Sequence, residues 1–540
     1  VTTAIRPAPI APPQSPRSAL PSRHSPADLA AHPTIVFPDS RRTARRDGAL
    51  LLATLIILAA AAKPILFDTL DPDLFWHLRI ADTIAHLGVR PIVDNLSFNS
   101  IRTPWVPYSW LAELTMKAVW DWAGWRGTIA LQSFLLSAWT LLLILSSYEM
   151  VRQYDAAEDA PLIRRDAGMR CCIVAAGALF LSLPYLSFRP STFAWILIAA
   201  VALLVLRDRR RPSGLVWLAV PLTAVCANVH LLVCTIPVWP LCLLVEDLML
   251  ARTWRRHALL LLFVCTAALA TPLLPGAVAS AWHYQFADVM VANPARSGIA
   301  DLQSIFRGAG LVVWPALLTC LLGGAALARR RLGWAPLLGL AFATALLIRL
   351  SRFAPFYAIA AAPVAAALLR GLSDRVLARG VVRAALAIVL AAIIVRIAAQ
   401  FPRPTADLST WLNRHGPGTP GYPCAAADFV SQLPISPSHS PRLINDYSWG
   451  GYLEWRLPQY QVFMDARTQL FPPQFWFATI LGDKQQCAQT VAATTADAAI
   501  LPLARADWRD ALLARGWHIA YHDDRAIVLL PPTIRRYIND

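Results

Sequence analysis

Long apolar runs separated by short arginine-rich breaks set the pattern of this chain. Runs at about 49–67, 128–149, 171–187, 191–206, 214–231, 233–250, 258–276, 309–328, 334–349, 353–370 and 384–400 predict eleven membrane-spanning helices. Alternate breaks, at 152–170, 207–211, 252–256, 329–331 and 370–383, are basic and fall on the side of the arginine run at 41–46. Cytoplasmic segments carry the excess of positive charge, so this side is predicted to be cytoplasmic and the chain after 400 noncytoplasmic. The prediction depends on dividing 214–250 into two spans near His230, because a single long span there would invert everything downstream.

Three stretches depart from the pattern. Residues 1–48, rich in Pro, Ser, Ala and Arg, show no sustained apolar periodicity and read as a disordered basic cytoplasmic tail. The run at 49–67 reads as a retained span rather than a cleaved signal. Residues 68–127 form a mixed first loop with two amphipathic stretches. Leu74, Leu78, Ala81 and Ala85 recur at helical spacing in one, and Trp110, Leu114, Ala118 and Trp122 in the other, opposite Glu113, Lys117 and Asp121. Both stretches are expected in the membrane interface, with Trp76, Trp105, Trp110, Trp120, Trp122 and Trp125 as an aromatic belt. Residues 401–540 alternate short β-type runs, at 460–464 and 526–530, with helical pieces, predicting a small α/β or α+β domain.

Composition agrees with the pattern. The 540 residues are 56% hydrophobic and only 15% charged, with a mean hydropathy of +0.47, which excludes an ordinary soluble protein. The net charge of +16 sits in the breaks between spans, so it reports topology and gives no reason to expect nucleic acid as a partner. Seven of the nine cysteines lie in or beside apolar runs without metal-ligand spacing. The other two, Cys424 and Cys487, fall in the final domain, where an oxidising exterior would permit a disulfide.

Candidate chemistry concentrates on the noncytoplasmic side. Asp71-Pro72-Asp73-Leu74-Phe75-Trp76-His77-Leu78 opens the first loop. Asp71 as N-cap, Pro72 as first helical residue and Asp73 in the first turn would start a helix. That account leaves His77 unexplained, one turn beyond Asp73 on the same face. Arg189, Arg349 and Arg352 lie at outer ends of spans, against the charge trend. Each could snorkel to headgroups, and together they suit an anion such as phosphate. Asn228 and His230 lie near the outer end of the fifth span, and Glu113 in the first loop is a further cavity candidate. In the last domain Asp446, Tyr447, Trp449, Asp465 and Arg467 either form an ordinary loop and strand end or bind a polar ring ligand.

The 71–78 motif, Arg189-Pro190 and Asn445-Asp446-Tyr447-Ser448-Trp449-Gly450-Gly451-Tyr452 resemble a bacterial, substrate-unassigned group within the GT-C superfamily of integral-membrane glycosyltransferases. The last motif is distantly similar to the Trp-Trp-Asp-Tyr-Gly run of oligosaccharyltransferase catalytic subunits, although Asn445 replaces the second Trp and Ser448-Trp449 intervene before Gly450. The resemblance implies a multi-pass protein of the bacterial inner membrane with a periplasmic C-terminal domain. It implies inverting transfer of a sugar from a polyprenyl-phosphate-linked donor to a lipid, glycan or protein acceptor. Asp71 or Asp73, with His77 beside them, would then serve as base or hold Mg or Mn, and an arginine would offset charge on the departing phosphate. A transporter or flippase for a lipid-linked substrate and a non-catalytic membrane assembly protein are the competing readings. A scaffold would not need its first-loop acids to approach an outer arginine.

Overall fold

The computed structural model describes residues 40–67, 70–156, 167–293, 299, 302–306, 310–369, 374–414, 421–434 and 440–532. The chain is a polytopic α-helical membrane protein with a small C-terminal sheet domain. Helices occupy most of the predicted apolar runs. Seven helices are long and apolar enough to cross a membrane, and Gly214–Ala227, Val313–Leu327 and Trp334–Arg349 are shorter apolar helices. The run expected at 258–276 is helical over Arg255–Ala268, breaks at 269–273 and resumes in the helix Leu274–Phe286. Residues 1–39 of the expected tail lie outside the described residues. Helix α1 (Ser40–Leu66) takes the arginine run at 41–46 into its first turns, so that run is not the end of a tail.

The basic breaks meet at one end of the bundle, as the charge pattern predicts. Arg209 donates to Gln153 and to the Leu332 carbonyl and pairs with Glu246 at 2.9 Å. Asp374 accepts from the backbone of Gly168 and Met169, and Gly48 packs on Leu377. The 214–250 segment breaks where expected: the helix Ala219–Ala227 ends before His230, whose extended backbone (φ −166°, ψ 151°) starts the next helical turn.

Two first-loop helices build the opposite end. Helix α2 (Pro72–Leu87) starts as the sequence predicts, with Asp71 as N-cap accepting from the Asp73 amide and Pro72 in the first turn. Its apolar face packs against protein. Leu74, Phe75, Trp76, His77, Leu78, Ile80, Ala81 and Ile84 are all buried, and Ala85 is exposed. Helix α3 (Trp110–Ala156) is kinked at Gly124, whose φ of 63° is left-handed and suits glycine. Residues 127–148 carry no charged side chain and at 1.5 Å per residue span about 33 Å, one bilayer core. The preceding part, with Glu113, Lys117 and Asp121, stands outside that apolar span. Its burial reverses the expected stripe: Ala112, Glu113 and Met116 face inward, and Trp122 is exposed. The reason is α2, which packs on this face and gives Glu113 a partner.

Three of the first-loop tryptophans have partners on other elements. Trp110 donates to Asn228 at 3.0 Å, Trp120 packs on Phe75 and Trp455, and Trp125 packs on Trp411.

The C-terminal sheet has strands β1 (Arg442–Asn445), β2 (Gln461–Val462), β3 (Ala498–Pro502), β4 (His518–His522) and β5 (Ala526–Leu530), in the order β2-β1-β3-β5-β4. β1 pairs parallel with β2 and β3, and β5 pairs antiparallel with β3 and β4, so the domain is mixed α/β. Cys424 and Cys487 are separate thiols. Cys487 donates to the Phe477 carbonyl at 3.5 Å, while Cys424 sits on the helix Cys424–Ser431, beside Tyr452. The disulfide allowed by the sequence is therefore not formed, because each thiol is held in its own helix packing.

Candidate active site

The first-loop acids meet Arg189. Capping aims one Asp71 oxygen back at its own helix, where Oδ1 accepts from Asp73 N at 2.9 Å. That leaves Oδ2 to accept from Arg189 Nε at 2.8 Å. Asp73 Oδ2 lies 3.2 Å from the same nitrogen. Arg189 is delivered by an extended residue directly before a proline-started helix, Pro190–Arg210, so its position is set by the chain entering that helix. The Asp71 side chain is 5% exposed, that of Asp73 17% and that of Arg189 35%. The cluster is thus anchored from below and open above. A guanidinium shared by two carboxylates leaves the trio one negative charge in excess, and an arriving phosphate would compete with the acids for the arginine.

One turn along α2, His77 Nδ1 lies 3.0 Å from Glu113 Oε1. The Trp76 ring, 3.5 Å from the imidazole between centroids, covers one face. Burial, then the positive charges of Arg189, His230 and Arg467, lower the His77 imidazole well below its ordinary value. Burial pushes the Glu113 carboxyl up to about 8, against a weaker opposing pull from Arg467. Tyr108 completes this wall. Its ring stands edge-on to His230 at 6.0 Å and to Tyr284 at 6.2 Å, and burial raises its hydroxyl to about 12. Glu113, Arg352 and Asp73 all lie within electrostatic reach of Tyr108.

The residues expected from sequence therefore divide. Asp71, Asp73, His77, Glu113, Arg189, His230 and Arg352 converge, and Asn228 braces the wall through Trp110 and the Ala270 carbonyl. Arg349 instead stacks its guanidinium 5.3 Å from the Phe286 ring. In the last domain Trp449 is buried and donates to the Gly421 carbonyl at 2.9 Å. Asp465 and Arg467 are also fully buried, so these three do not present a surface to a ring ligand. Asp446 caps a turn by accepting from Ser448, and it remains half-buried with Tyr447.

Arg467 has a different task. It contacts Asp94 at 2.7 Å, Asp465 at 2.6 Å and Glu454 at 3.1 Å, and it lies 5.8 Å from the Trp76 ring and 5.9 Å from Trp105. One cation thereby ties the C-terminal domain to the first loop and backs the tryptophan that covers His77. Burial works to raise the Asp94 carboxyl, but Arg467, Ser100 and Ser97 outweigh it and hold the acid below its ordinary range. Gly450 and Gly451 are needed for the same docking. A side chain at 450 would collide with the Met464 carbonyl, and a Cβ at 451 would come 3.0 Å from the Pro72 carbonyl. Tyr452 packs on Phe75 at 5.3 Å, and Tyr422 donates to the Leu70 carbonyl. The two motifs separated by some 370 residues are thus in contact. Tyr108, Asp94 and Glu454 carried no sequence signal beyond their residue type.

Asp71 and Asp73 present their carboxylates to a guanidinium, and among the described residues no group of three or more His, Cys, Asp or Glu could hold a metal ion. Two carboxylates engaged with one guanidinium could hold Mg or Mn only together with substrate phosphate and water, once Arg189 has released them.

No family model matches the chain, and no curated protein matches it. Among solved structures, the Archaeoglobus fulgidus oligosaccharyltransferase tethered to an acceptor peptide is similar at 14% identity, over 87% of this chain and 72% of that one, with a TM-score of 0.49. The archaeal oligosaccharyltransferase AglB from the same organism, in complex with an inhibitory peptide and a dolichol-phosphate, is similar at 14% identity, over 84% and 69%, with a TM-score of 0.47. ArnT from Cupriavidus metallidurans bound to undecaprenyl phosphate is similar at 14% identity, over 89% of this chain and 97% of that one, with a TM-score of 0.46.

Proposed function

We propose that this protein is a membrane glycosyltransferase of the GT-C type that moves a sugar from a polyprenyl-phosphate-linked donor to a lipid, glycan or protein acceptor. The reaction takes place at the noncytoplasmic end of the bundle, under the C-terminal domain, and inverts the anomeric centre. The observation that carries this reading is Arg189 shared between Asp71 and Asp73 at 2.8 and 3.2 Å in a partly open cluster. A scaffold has no need for that convergence.

The chemistry follows from the groups present. A lipid-linked donor brings a phosphate to the end of the apolar bundle, where Arg189 exchanges part of its carboxylate contact for phosphate oxygen. The carboxylate so released, on Asp71 or Asp73, accepts the proton of the acceptor hydroxyl as that oxygen attacks the anomeric carbon. Arg189, with Arg352 on the facing wall, offsets the charge left on the departing phosphate.

The test is transfer in nanodiscs from an undecaprenyl-phosphate-linked sugar to membrane extract, with alanine at Asp71 and Asp73 singly and together. Loss of transfer with unchanged melting supports the assignment, and wild-type rates in all three variants overturn it. EDTA followed by Mg or Mn decides separately whether a cation takes part. Mass spectrometry of the lipid-linked intermediates that accumulate when the chain is deleted from its host identifies the sugar.

A further inference from the structure

The Glu113–His77 pair lies beside the acid–arginine cluster and is not used by the transfer as written above. Its geometry is that of a dyad. Glu113 sits on α3 and His77 on α2, their 3.0 Å contact is buried on both sides, and the second Glu113 oxygen, Oε2, is buried with no hydrogen-bond partner. An ionised carboxylate would leave that oxygen charged and unsolvated, at high cost. A protonated carboxyl whose O–H donates to Nδ1 leaves only a neutral carbonyl oxygen there. The imidazole then carries its proton on Nε2, and among the described residues His77 makes no other side-chain hydrogen bond.

We infer that Glu113 and His77 form a proton relay that donates to the lipid phosphate as it leaves the sugar, a role that rests on the transferase reading. As the bond between the anomeric carbon and the phosphate oxygen breaks, its electron pair passes to that oxygen. His77 Nε2–H gives its proton to a phosphate oxygen, and Nδ1 takes the proton of Glu113. The products are a lipid phosphate monoanion, a neutral His77 protonated at Nδ1 and a Glu113 carboxylate. The acceptor's proton, held by Asp71 or Asp73, leaves to solvent, and a solvent proton taken up at His77 Nε2 sends the Nδ1 proton back to Glu113, restoring the resting pair for the next cycle. His77 is the group that touches substrate, and Glu113 acts through it.

The surrounding charges favour the resting state. Arg189 from the start of the Pro190 helix, His230, and Arg467 from the C-terminal domain face His77 and oppose a second positive charge there. Arg467 also faces Glu113. Asp73 on α2 and Arg352 reach the same wall through Tyr108. With Glu113 raised to about 8, the dyad is loaded at neutral pH and discharged in mild alkali.

The test follows the 31P resonance of undecaprenyl phosphate bound to the full-length protein in nanodiscs across pH 5 to 9, in wild type and E113Q. Glutamine keeps the contact, since its amide N–H donates to Nδ1, but holds no transferable proton. In wild type the relay lets one proton be shared between Glu113 and the lipid phosphate, so the bound phosphate should keep its proton to a higher pH than in E113Q. If E113Q does not fold, H77Q, which also breaks the relay, should show the same downward displacement. Equal midpoints with lipid bound in both proteins would overturn the relay while leaving the transferase reading intact. Failure of the wild type to bind undecaprenyl phosphate would instead overturn the lipid-phosphate reading, and the relay with it.

Discussion

Two arginine–carboxylate clusters stand side by side at one end of this molecule, and they differ chiefly in water. Arg467 meets Asp94, Asp465 and Glu454 with every side chain at 1% exposure or less, whereas Arg189 meets Asp71 and Asp73 with about a third of its side chain exposed. A fully buried cluster has already paid its desolvation and has no room for a ligand, so its contribution lies in geometry: it fixes the C-terminal domain against the first loop. A half-open cluster can exchange one anion for another. The same residue types thus make a clamp in one place and a site in the other.

That contrast can be broken by substitution. The largest effect is expected from Asp73→Asn, or Asp71→Asn if that acid is the base: transfer should fall about 10²- to 10⁴-fold with melting in nanodiscs little changed. Arg467→Met should do the reverse, leaving three buried acids without their cation. It should cost about 3–5 kcal/mol of stability in thermal or denaturant unfolding, and any loss of activity should follow loss of fold. If Arg467→Met left stability intact and abolished transfer alone, the division into clamp and site would be wrong. Gly450→Ala tests the docking without touching a charge. Forcing a methyl against the Met464 carbonyl should cost about 1–3 kcal/mol, read by melting or by limited proteolysis at the loop–domain contact.

Acidity sharpens the same comparison. Glu113 is raised from 4.5 to about 8 in the folded protein, so folding takes up a proton there. Its contribution to stability is fully present below pH 4.5 and is lost as pH rises through about 8. Asp94 is depressed, so its contribution is present above its ordinary 3.8 and lost as pH falls. Unfolding measured from pH 5 to 9 should therefore show a decline toward alkali that E113Q removes and D94N does not. The smallest effect is expected at Lys117, which pairs with Asp82 and Asp121 on the solvent face of the helix that carries Glu113. Lys117→Met should cost no more than about 1 kcal/mol and leave transfer unchanged.

Much of this architecture was legible in one dimension. Apolar periodicity located the helical segments, of which seven are long and apolar enough to cross a membrane, arginine breaks identified the segments that share one end, and Asp71-Pro72-Asp73 announced the start of α2, because apolar patterning, charge placement and capping are properties of a few consecutive residues. Tertiary packing decided the rest. It turned Glu113 inward against the amphipathic pattern of its own helix, since a partner helix supplied His77. It removed Trp449, Asp465 and Arg467 from the candidate ligand surface and made the last a clamp, and it kept Cys424 and Cys487 apart. Such outcomes depend on which distant segment arrives beside a residue and on whether water stays, and neither is written in the spacing of its neighbours.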